Sequence, residues 1–279
     1  MMNTIKLVTY NVLAPCWAQP SYYPTSSAQY LDKVTRRVSI INVLKDLAKT
    51  NDVIALQETQ EDEIVFFKET LSKEGFSGFN VNHKDDYWSK YIVADPPFVS
   101  NGVALFWNNR TTNLLEVHGY NFSNSGNRGI IAYLRKNNKL FRIVCCHLDS
   151  DTGGNRAKES KAIVDLLTPD VELIDIIIGD LNFNTDHGAY NNVFKTANFT
   201  NVLFSLGKQE MTHPFTSTYS GNDNFGIIDH ILVRGATPQD GKVLTLNVNN
   251  DGVTEEQRIN LLLQRDGSDH FVVSGSISY

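Results

Sequence analysis

The chain has 279 residues, of which 41% are hydrophobic and 20% charged, with a formal net charge of −6. That much apolar material supports a sizeable core, and an acidic chain without a basic run lacks the stripe that grips duplex nucleic acid by displacing counterions. Three cysteines exclude a disulfide framework, and no apolar run approaches the ~20 residues of a membrane helix.

Residues 5–10 form a largely apolar run that reads as a strand closed by Asn11. An aromatic, Pro-containing loop over residues 17–30 leads to an amphipathic helix whose apolar stripe is Val34, Val38, Ile41, Leu44 and Leu47. The apolar run 53–57 is a second strand, closed by Glu58. A helix over residues 62–73 opens with acids that suit its N-terminal dipole and stops before Gly75. Strands follow at 79–82 and 103–107, separated by a polar and aromatic stretch over 84–100. Runs at 129–134 and 140–147 flank Lys136-Asn137-Asn138-Lys139, a hairpin turn. Residues 155–167 are helical and deliver the chain to Ile176-Ile177-Ile178-Gly179-Asp180-Leu181-Asn182. Strands are expected at 227–233, 243–248 and 271–277. A capping box at Thr254-Glu255-Glu256-Gln257 opens a helix through Leu261 and Leu263.

Four apolar strands therefore end in an amide, a carboxylate, an imidazole and a carboxylate–amide pair: Asn11, Glu58, His147, and Asp180 with Asn182. Polar groups at the mouth of a buried sheet are costly unless they hold a metal or a phosphate. Ligands bind beyond strand ends in sheets of this kind.

Tyr10-Asn11-Val12-Leu13-Ala14, Leu56-Gln57-Glu58, His147-Leu148, Gly179-Asp180-Leu181-Asn182, Ile228-Asp229-His230-Ile231 and Ser268-Asp269-His270 follow one another in the order seen in the endonuclease/exonuclease/phosphatase superfamily, which the chain resembles from Tyr10 to His270. Taken singly, such tripeptides are mostly turns and caps. The resemblance implies an α/β fold, a deoxyribonuclease I-like four-layer sandwich of two packed mixed sheets flanked by helices, with residues 1–279 forming a single catalytic domain. It also implies a divalent cation, Mg²⁺ with Mn²⁺ able to substitute, held by Glu58 with Asn11 and Asp269. Oxygen ligands suit such an ion.

In the same pattern, Asp180 orients the attacking water and Asn182 contacts the phosphate or holds Asp180. His147 and His270 face the phosphoryl oxygens, and Asp229 pairs with His270. His230, on the opposite face of its strand from Asp229, is expected to be packed or hydrogen-bonded. Asn11, Asn182 and Arg156 are candidate substrate contacts, although Arg156 and Glu159 also read as a solvated helix face. Arg128, Arg135, Arg142, Arg156 and Lys158 are candidates for a basic rim.

The opening motif resembles the nocturnin-like deadenylase branch most. The Pro-Ala-Trp-Cys-Asp-Arg run of inositol phosphatases is absent, and Gly226-Ile227-Ile228-Asp229 differs from the apurinic-endonuclease pattern. The expected substrate is a nucleic acid or nucleotide phosphoester, single-stranded RNA favoured, and the loop aromatics Trp17, Tyr22, Tyr23, Tyr87, Trp88 and Tyr91 are candidates for stacking unpaired bases. A phosphatase or cyclic-phosphate hydrolase acting on a nucleotide is the alternative, and a non-catalytic module that keeps the fold is the alternative of another class. With no signal-peptide pattern, an intracellular, cytoplasmic setting without a membrane partner is expected.

Overall fold

Strands whose side chains alternate between two apolar faces make sheets that must be covered on both sides. The computed structural model describes residues 3–83, 99–122, 126–150, 152–184, 190–208, 210–213, 226–244 and 254–279. One sheet contains β1 (Thr4–Asn11), β2 (Val53–Gln60), β3 (Phe76–Asn82), β4 (Asn101–Asn108), β11 (Thr237–Val243) and β12 (Val273–Ser278), in the order β11-β12-β1-β2-β4-β3. The other contains β5 (Asn113–Asn121), β6 (Arg128–Lys136), β7 (Lys139–His147), β8 (Leu173–Asp180), β9 (Thr200–Asn201) and β10 (Asp229–Arg234), in the order β5-β6-β7-β8-β10-β9. Both are mixed. The pairs β1/β2 and β7/β8 are parallel, and their neighbours β12, β4, β6 and β10 run antiparallel to them.

The alternation sorts the core into layers. Ile5, Leu7, Val53 and Ala55 point to the middle and meet Ile143, Cys145, Ile176 and Ile178 of the facing sheet. Val8, Tyr10, Ile54 and Leu56 point outward, under Ile40 and Leu44 of α2 (Lys33–Ala48), which follows the short α1 (Ala28–Leu31), and Ile64, Phe67 and Leu71 of α3 (Glu61–Lys73). On the far side, Ile131, Val144 and Ile177 are covered by Ile163 of α4 (Gly153–Leu166) and by Phe194 of a π-helical turn, Tyr190–Lys195. This is the four-layer sandwich that the sequence leads one to expect. Burial of each such Ile, Leu or Phe side chain stabilises the fold by roughly 1.5–3 kcal/mol.

Local signals set the ends. Asp32 caps α2 through the Thr35 N–H, Thr152 caps α4 through the Asn155 N–H, and the Thr254/Gln257 capping box opens the helix Glu255–Asp266. Among the described residues no helix is long and apolar enough to cross a membrane.

Two expectations need correction, and one strand, β5, is not among the expected ones. In α2 the buried face is Arg36, Ile40, Leu44, Leu47 and Ala48, whereas Val34 and Val38 are 56% and 57% exposed. The helix is turned by the demand of Arg36, whose guanidinium is buried among backbone carbonyls. The strand β5 escapes the hydrophobic pattern because it is an edge strand, mostly exposed, with a sequence rich in polar residues. The strand placed at 243–248 lies earlier, at Thr237–Val243, and residues 245–248 fall outside the described ones.

Candidate active site

At one end of the sandwich the inward-facing rows change from apolar to polar. In register across the second sheet, His147 of β7 pairs with Asp180 of β8, and Asp180 pairs with Asp229 of β10. His147 and Asp180 stand two positions after Cys145 and Ile178, and Asp229 two positions before Ile231, so their side chains share the face turned to the first sheet. Asn11 ends β1 two positions after Thr9, whose hydroxyl donates to Gln57 Oε1 at 2.9 Å. The parallel pairs β1/β2 and β7/β8 thus bring their carboxyl ends to one place, from both sheets.

Backbone strain shapes this edge. Glu58 does not close β2 but sits in a bulge inside it, where the pairing with β4 shifts between Gln57 and Thr59, and its φ is +58°. The bulge turns its carboxylate out of the ladder toward Asn11. Leu13 and Asn182, each with φ +52°, are the other non-glycine residues in the left-handed region that border the site. Gly179 has φ +153°, and a Cβ there would lie 1.9 Å from the carbonyl oxygen of Cys146. Only glycine lets β8 approach β7 closely enough to set Asp180 beside His147.

The amide of Asn11 bridges the two sheets. Its Nδ2 donates to Glu58 Oε1 at 2.9 Å and to Asp180 Oδ2 at 3.0 Å, and its Oδ1 accepts from the Leu13 N–H. Its Oδ1, with a second lone pair beside the one facing Leu13, stays a candidate oxygen ligand for a cation. Glu58 Oε2 accepts from the Ala14 N–H at 2.9 Å, and Glu58 remains partly exposed.

Asp180 is held by the Asn182 N–H at 2.9 Å, while Asn182 Nδ2 donates to the Leu148 carbonyl. Asp180 Oδ2 lies 3.7 Å from His147 Nε2 and 3.8 Å from His270 Nε2. His270 Nδ1 is 2.9 Å from Asp229 Oδ2, and Asp229 is fully buried. Burial works against charge on both partners. For His270 it is outweighed by Asp229, Asp269 and Asp180, which hold the imidazole pKa well above its ordinary value. For Asp229 it is outweighed by His270, and its pKa is lowered. Both shifts favour an imidazolium–carboxylate pair at neutral pH.

Asp269 is also buried. Its Oδ2 accepts from Tyr23 O–H at 2.6 Å and lies 3.1 Å from His213 Nε2, and the His213 and His270 rings stand 4.5 Å apart. Burial raises its pKa, but His270, His213 and Tyr23 more than offset this and hold it below the usual carboxylate range. The Tyr23 hydroxyl is committed to Asp269, and its partly buried ring packs on the central core. The loops that carry these groups are tied from below by Arg36, which is 1% exposed. Its guanidinium donates to the carbonyls of Gly267, Val12 and Leu13.

Arg156, on the first turns of α4, donates through Nη1 to the carbonyls of Asp149 and Ser150, both at 2.9 Å, and so holds the loop after His147. Glu159 is not on a solvated face but fully buried, accepting from Asn127 Nδ2 and the Asp149 N–H. His230 points away from the site, taking a hydrogen bond from Asn201 Nδ2 and giving one to the Phe183 carbonyl. Of the basic-rim candidates, Arg142 is buried against Asp175, and Arg135 pairs with Leu140 at the opposite end of the sheet. Trp17 flanks the site and packs edge-on with Tyr22, while Tyr87, Trp88 and Tyr91 lie outside the described residues.

The structure thus brings Asn11, Glu58, His147, Asp180, Asn182, Asp229, Asp269 and His270 together. To these it adds His213, Tyr23 and Arg36, and, beside His147, the buried His83. His213 follows a lone Thr in a turn-rich stretch, and nothing in its spacing marks it. Four carboxylates, Glu58, Asp180, Asp229 and Asp269, converge here, and among the described residues their only cationic partners within 4.0 Å are histidines. Negative charge left in excess in a half-buried oxygen-rich cluster fits a hard divalent cation, with Glu58 and Asp269 as candidate ligands. Two three-residue groups, His213–Asp269–His270 and Asp180–Asp229–His270, have ligand atoms within 4.8 Å of one another.

Comparison with solved structures returns the same sandwich. The human Nocturnin catalytic domain, solved with a bound sulfate anion, superposes with a TM-score of 0.71 at 18% identity, covering 99% of this chain and 93% of that one. ANGEL2, described as a 2′,3′-cyclic phosphatase, gives a TM-score of 0.73 at 14% identity over 99% and 95%. TDP2 from D. rerio, complexed with a single-strand DNA product, gives 0.68 at 18% identity over 99% and 100%. At these identities the likeness is one of fold. No curated protein matches the chain. The profile of the Endonuclease/Exonuclease/phosphatase family matches residues 8–270, a span that holds every residue of the polar cluster. The chain belongs to that family, whose members hydrolyse phosphoester bonds and generally use divalent metals.

Proposed function

We propose that the protein is a Mg²⁺-dependent phosphodiester hydrolase, with Mn²⁺ able to substitute, acting on single-stranded nucleic acid and on RNA in preference, as a 3′ exoribonuclease of the nocturnin-like branch. The observation that carries this reading is the Asp229–His270 pair at 2.9 Å, with His270 Nε2 at 3.8 Å and His147 Nε2 at 3.7 Å from Asp180 Oδ2, and Asp180 tied to Glu58 through the Asn11 amide. A bound cation would supply charge neutralisation at the phosphoryl oxygens.

The chain's own groups do the rest. Glu58 and Asp269 would hold the cation, and Asn11, donating to both Glu58 and Asp180, fixes the positions of those carboxylates. Asp180, anchored by the Asn182 N–H, orients the attacking water and takes its proton. His270, kept cationic by Asp229, and His147 donate to the non-bridging oxygens where charge grows. Asn182 and Arg156 border the phosphate and shape the loop beside it. The candidate residues span Asn11 to His270 and come from both sheets, which supports reading residues 1–279 as one catalytic domain. The three cysteines are free and buried, in keeping with a reducing, cytoplasmic setting.

A phosphatase or cyclic-phosphate hydrolase acting on a nucleotide or an RNA end is the second reading, favoured by the fold likeness to ANGEL2. The test is a panel of single-stranded RNA, duplex DNA, 2′,3′-cyclic-phosphate ends and free nucleotides, each with Mg²⁺, Mn²⁺ or chelator. Single-stranded RNA should give the highest kcat/KM. A cyclic phosphate or a mononucleotide as best substrate moves the protein to the second reading, and no metal-dependent turnover of any leaves a non-catalytic module.

A further inference from the structure

The strand that carries Asp229 starts with a neighbour on one side only. Along its whole length β10 pairs with β8, but on its other side β9 covers just Leu232 and Val233. Buried backbone N–H groups are seldom left unpaired, so those at the start of β10 need another acceptor. Two of them, on Ile228 and Asp229, donate to a single side-chain oxygen, Thr212 Oγ1, at 3.0 and 3.1 Å. Thr212 is fully buried, as is Asp229.

A hydroxyl oxygen has two lone pairs and one proton. The two N–H groups take both lone pairs of Thr212 Oγ1, so the hydroxyl is left to donate. The Gly226 carbonyl lies 3.4 Å away, long for an O–H···O bond. The other acceptor is the Asp229 carboxylate. Its Oδ2 faces His270 Nδ1 at 2.9 Å, and its Oδ1 is buried with no other partner among the described residues. Burial raises the Asp229 pKa; His270 and, behind it, the Thr212 hydroxyl outweigh this and lower it.

The same residue reaches the other half of the pair. Its backbone carbonyl accepts the N–H of Phe271, next in the chain after His270, at 2.8 Å. Its own N–H and that of His213 donate to the Gly226 carbonyl, and the Gly226 N–H donates to the His213 carbonyl. Backbone bonds thus tie this segment both to the approach of β10 and to the loop before β12. The hydroxyl then sets where Asp229 stands relative to His270. Supporting hydrogen bonds of this kind hold a catalytic group in its productive geometry.

We propose that Thr212 is a positioning residue of the Asp229–His270 pair: its hydroxyl fixes the Asp229 backbone and carboxylate, and through them the orientation of the His270 ring. The assignment rests on the phosphodiesterase reading.

The test compares wild type, Thr212→Val, Thr212→Ser, Asp229→Asn and Thr212→Val/Asp229→Asn on bis(4-nitrophenyl) phosphate at saturating Mg²⁺, with Mg²⁺ affinity measured by calorimetry. Thr212→Val keeps the volume and removes the hydroxyl. Its kcat should fall by about 10- to 100-fold, the range spanned by a hydrogen bond to a charged group, while KM and Mg²⁺ affinity stay within about threefold. Thr212→Ser keeps the hydroxyl and should stay within about threefold of wild type in kcat. In the Asp229→Asn background the valine change should cost no more than about a further twofold, because residues that act as a unit are not additive. Should Thr212→Val not fold, Thr212→Cys takes its place with a weaker donor and acceptor, and its kcat should fall by at least about fivefold.

A merely structural Thr212 would lower the unfolding midpoint and leave the kcat of the folded enzyme within about threefold of wild type, which overturns the assignment. So does a loss of the same size with and without the Asp229 carboxylate, or a serine variant as impaired as the valine one. In each of these cases wild type turns over the diester, and only the positioning role is wrong. A wild type with no Mg²⁺-dependent turnover of this diester or of a single-stranded oligoribonucleotide removes the phosphodiesterase reading, and the role of Thr212 with it.

Discussion

Replacing Asp229 by asparagine keeps the shape of the side chain and removes the charge that holds His270 as an imidazolium. Asp229 is fully buried and its Oδ2 lies 2.9 Å from His270 Nδ1, so little solvent screens the pair. Two unit charges ~4 Å apart at an effective dielectric of ~20 interact by about 4 kcal/mol. Removal of one partner of a buried pair typically costs ~3–5 kcal/mol. Loss of that amount from a transition state that needs the imidazolium corresponds to a fall in kcat of roughly 10²–10³-fold, at about 1.4 kcal/mol per factor of ten. The sign of the titration follows: with its carboxylate partner gone, the His270 pKa falls from well above its ordinary value, and the neutral ring is the dominant form at lower pH than in wild type.

The assay is turnover of bis(4-nitrophenyl) phosphate across pH, with Mg²⁺ affinity measured separately by calorimetry. Asp229→Asn should lose kcat while keeping Mg²⁺ affinity within a few-fold, and Asp229→Asn/His270→Ala should be little worse than either single change. A kcat within threefold of wild type, or fully additive losses, would refute the pairing as the source of charge.

Tyr23→Phe removes the hydroxyl that donates to Asp269 at 2.6 Å and should cost about 1.5–3 kcal/mol of stability, read by denaturant unfolding; an unchanged midpoint would place no weight on that bond. Gly179→Ala sets a Cβ 1.9 Å from the Cys146 carbonyl oxygen in a left-handed position, and should destabilise by ~3 kcal/mol or more, with activity lost before the fold; near-wild-type stability would show that β8 can shift freely. His83 has a folded pKa of about 3, so below pH 6.5 the unfolded chain binds a proton that the folded chain refuses. Stability should therefore fall by about 2 kcal/mol between pH 6.5 and 5, and His83→Gln should flatten that limb; equal slopes in both proteins would exclude His83 as its origin.

The site was legible where an apolar strand ended in a polar residue. Asn11, His147, Asp180 and Asp229 announce themselves because a run such as Ile176-Ile177-Ile178 leaves no apolar reason for the aspartate that follows. What the pattern could not reveal lies where periodicity is absent or inverted. His213 and Tyr23 sit in irregular segments and meet Asp269 only through tertiary folding. Arg36 is a charged residue on an amphipathic helix, and its burial under Gly267 and Leu13 goes with Val34 and Val38 facing water. Glu159 reads as solvated for the same reason: a charged residue on a helix gives no sequence signal of the buried amides it will meet. The bulge at Glu58 follows from the pairing of β2 with β4, a long-range contact that the strand's own sequence does not encode.

Titrating Mg²⁺ against turnover of bis(4-nitrophenyl) phosphate in wild type and Glu58→Gln tests most directly whether this polar cluster is a cation-dependent phosphodiesterase centre. Wild type should show saturable activation that chelator abolishes. The variant, folded by circular dichroism, should need at least about tenfold more Mg²⁺ for half-activation, since a carboxylate ligand has been exchanged for a neutral amide. Turnover that persists in excess chelator, or a variant indistinguishable from wild type at limiting Mg²⁺, would contradict it.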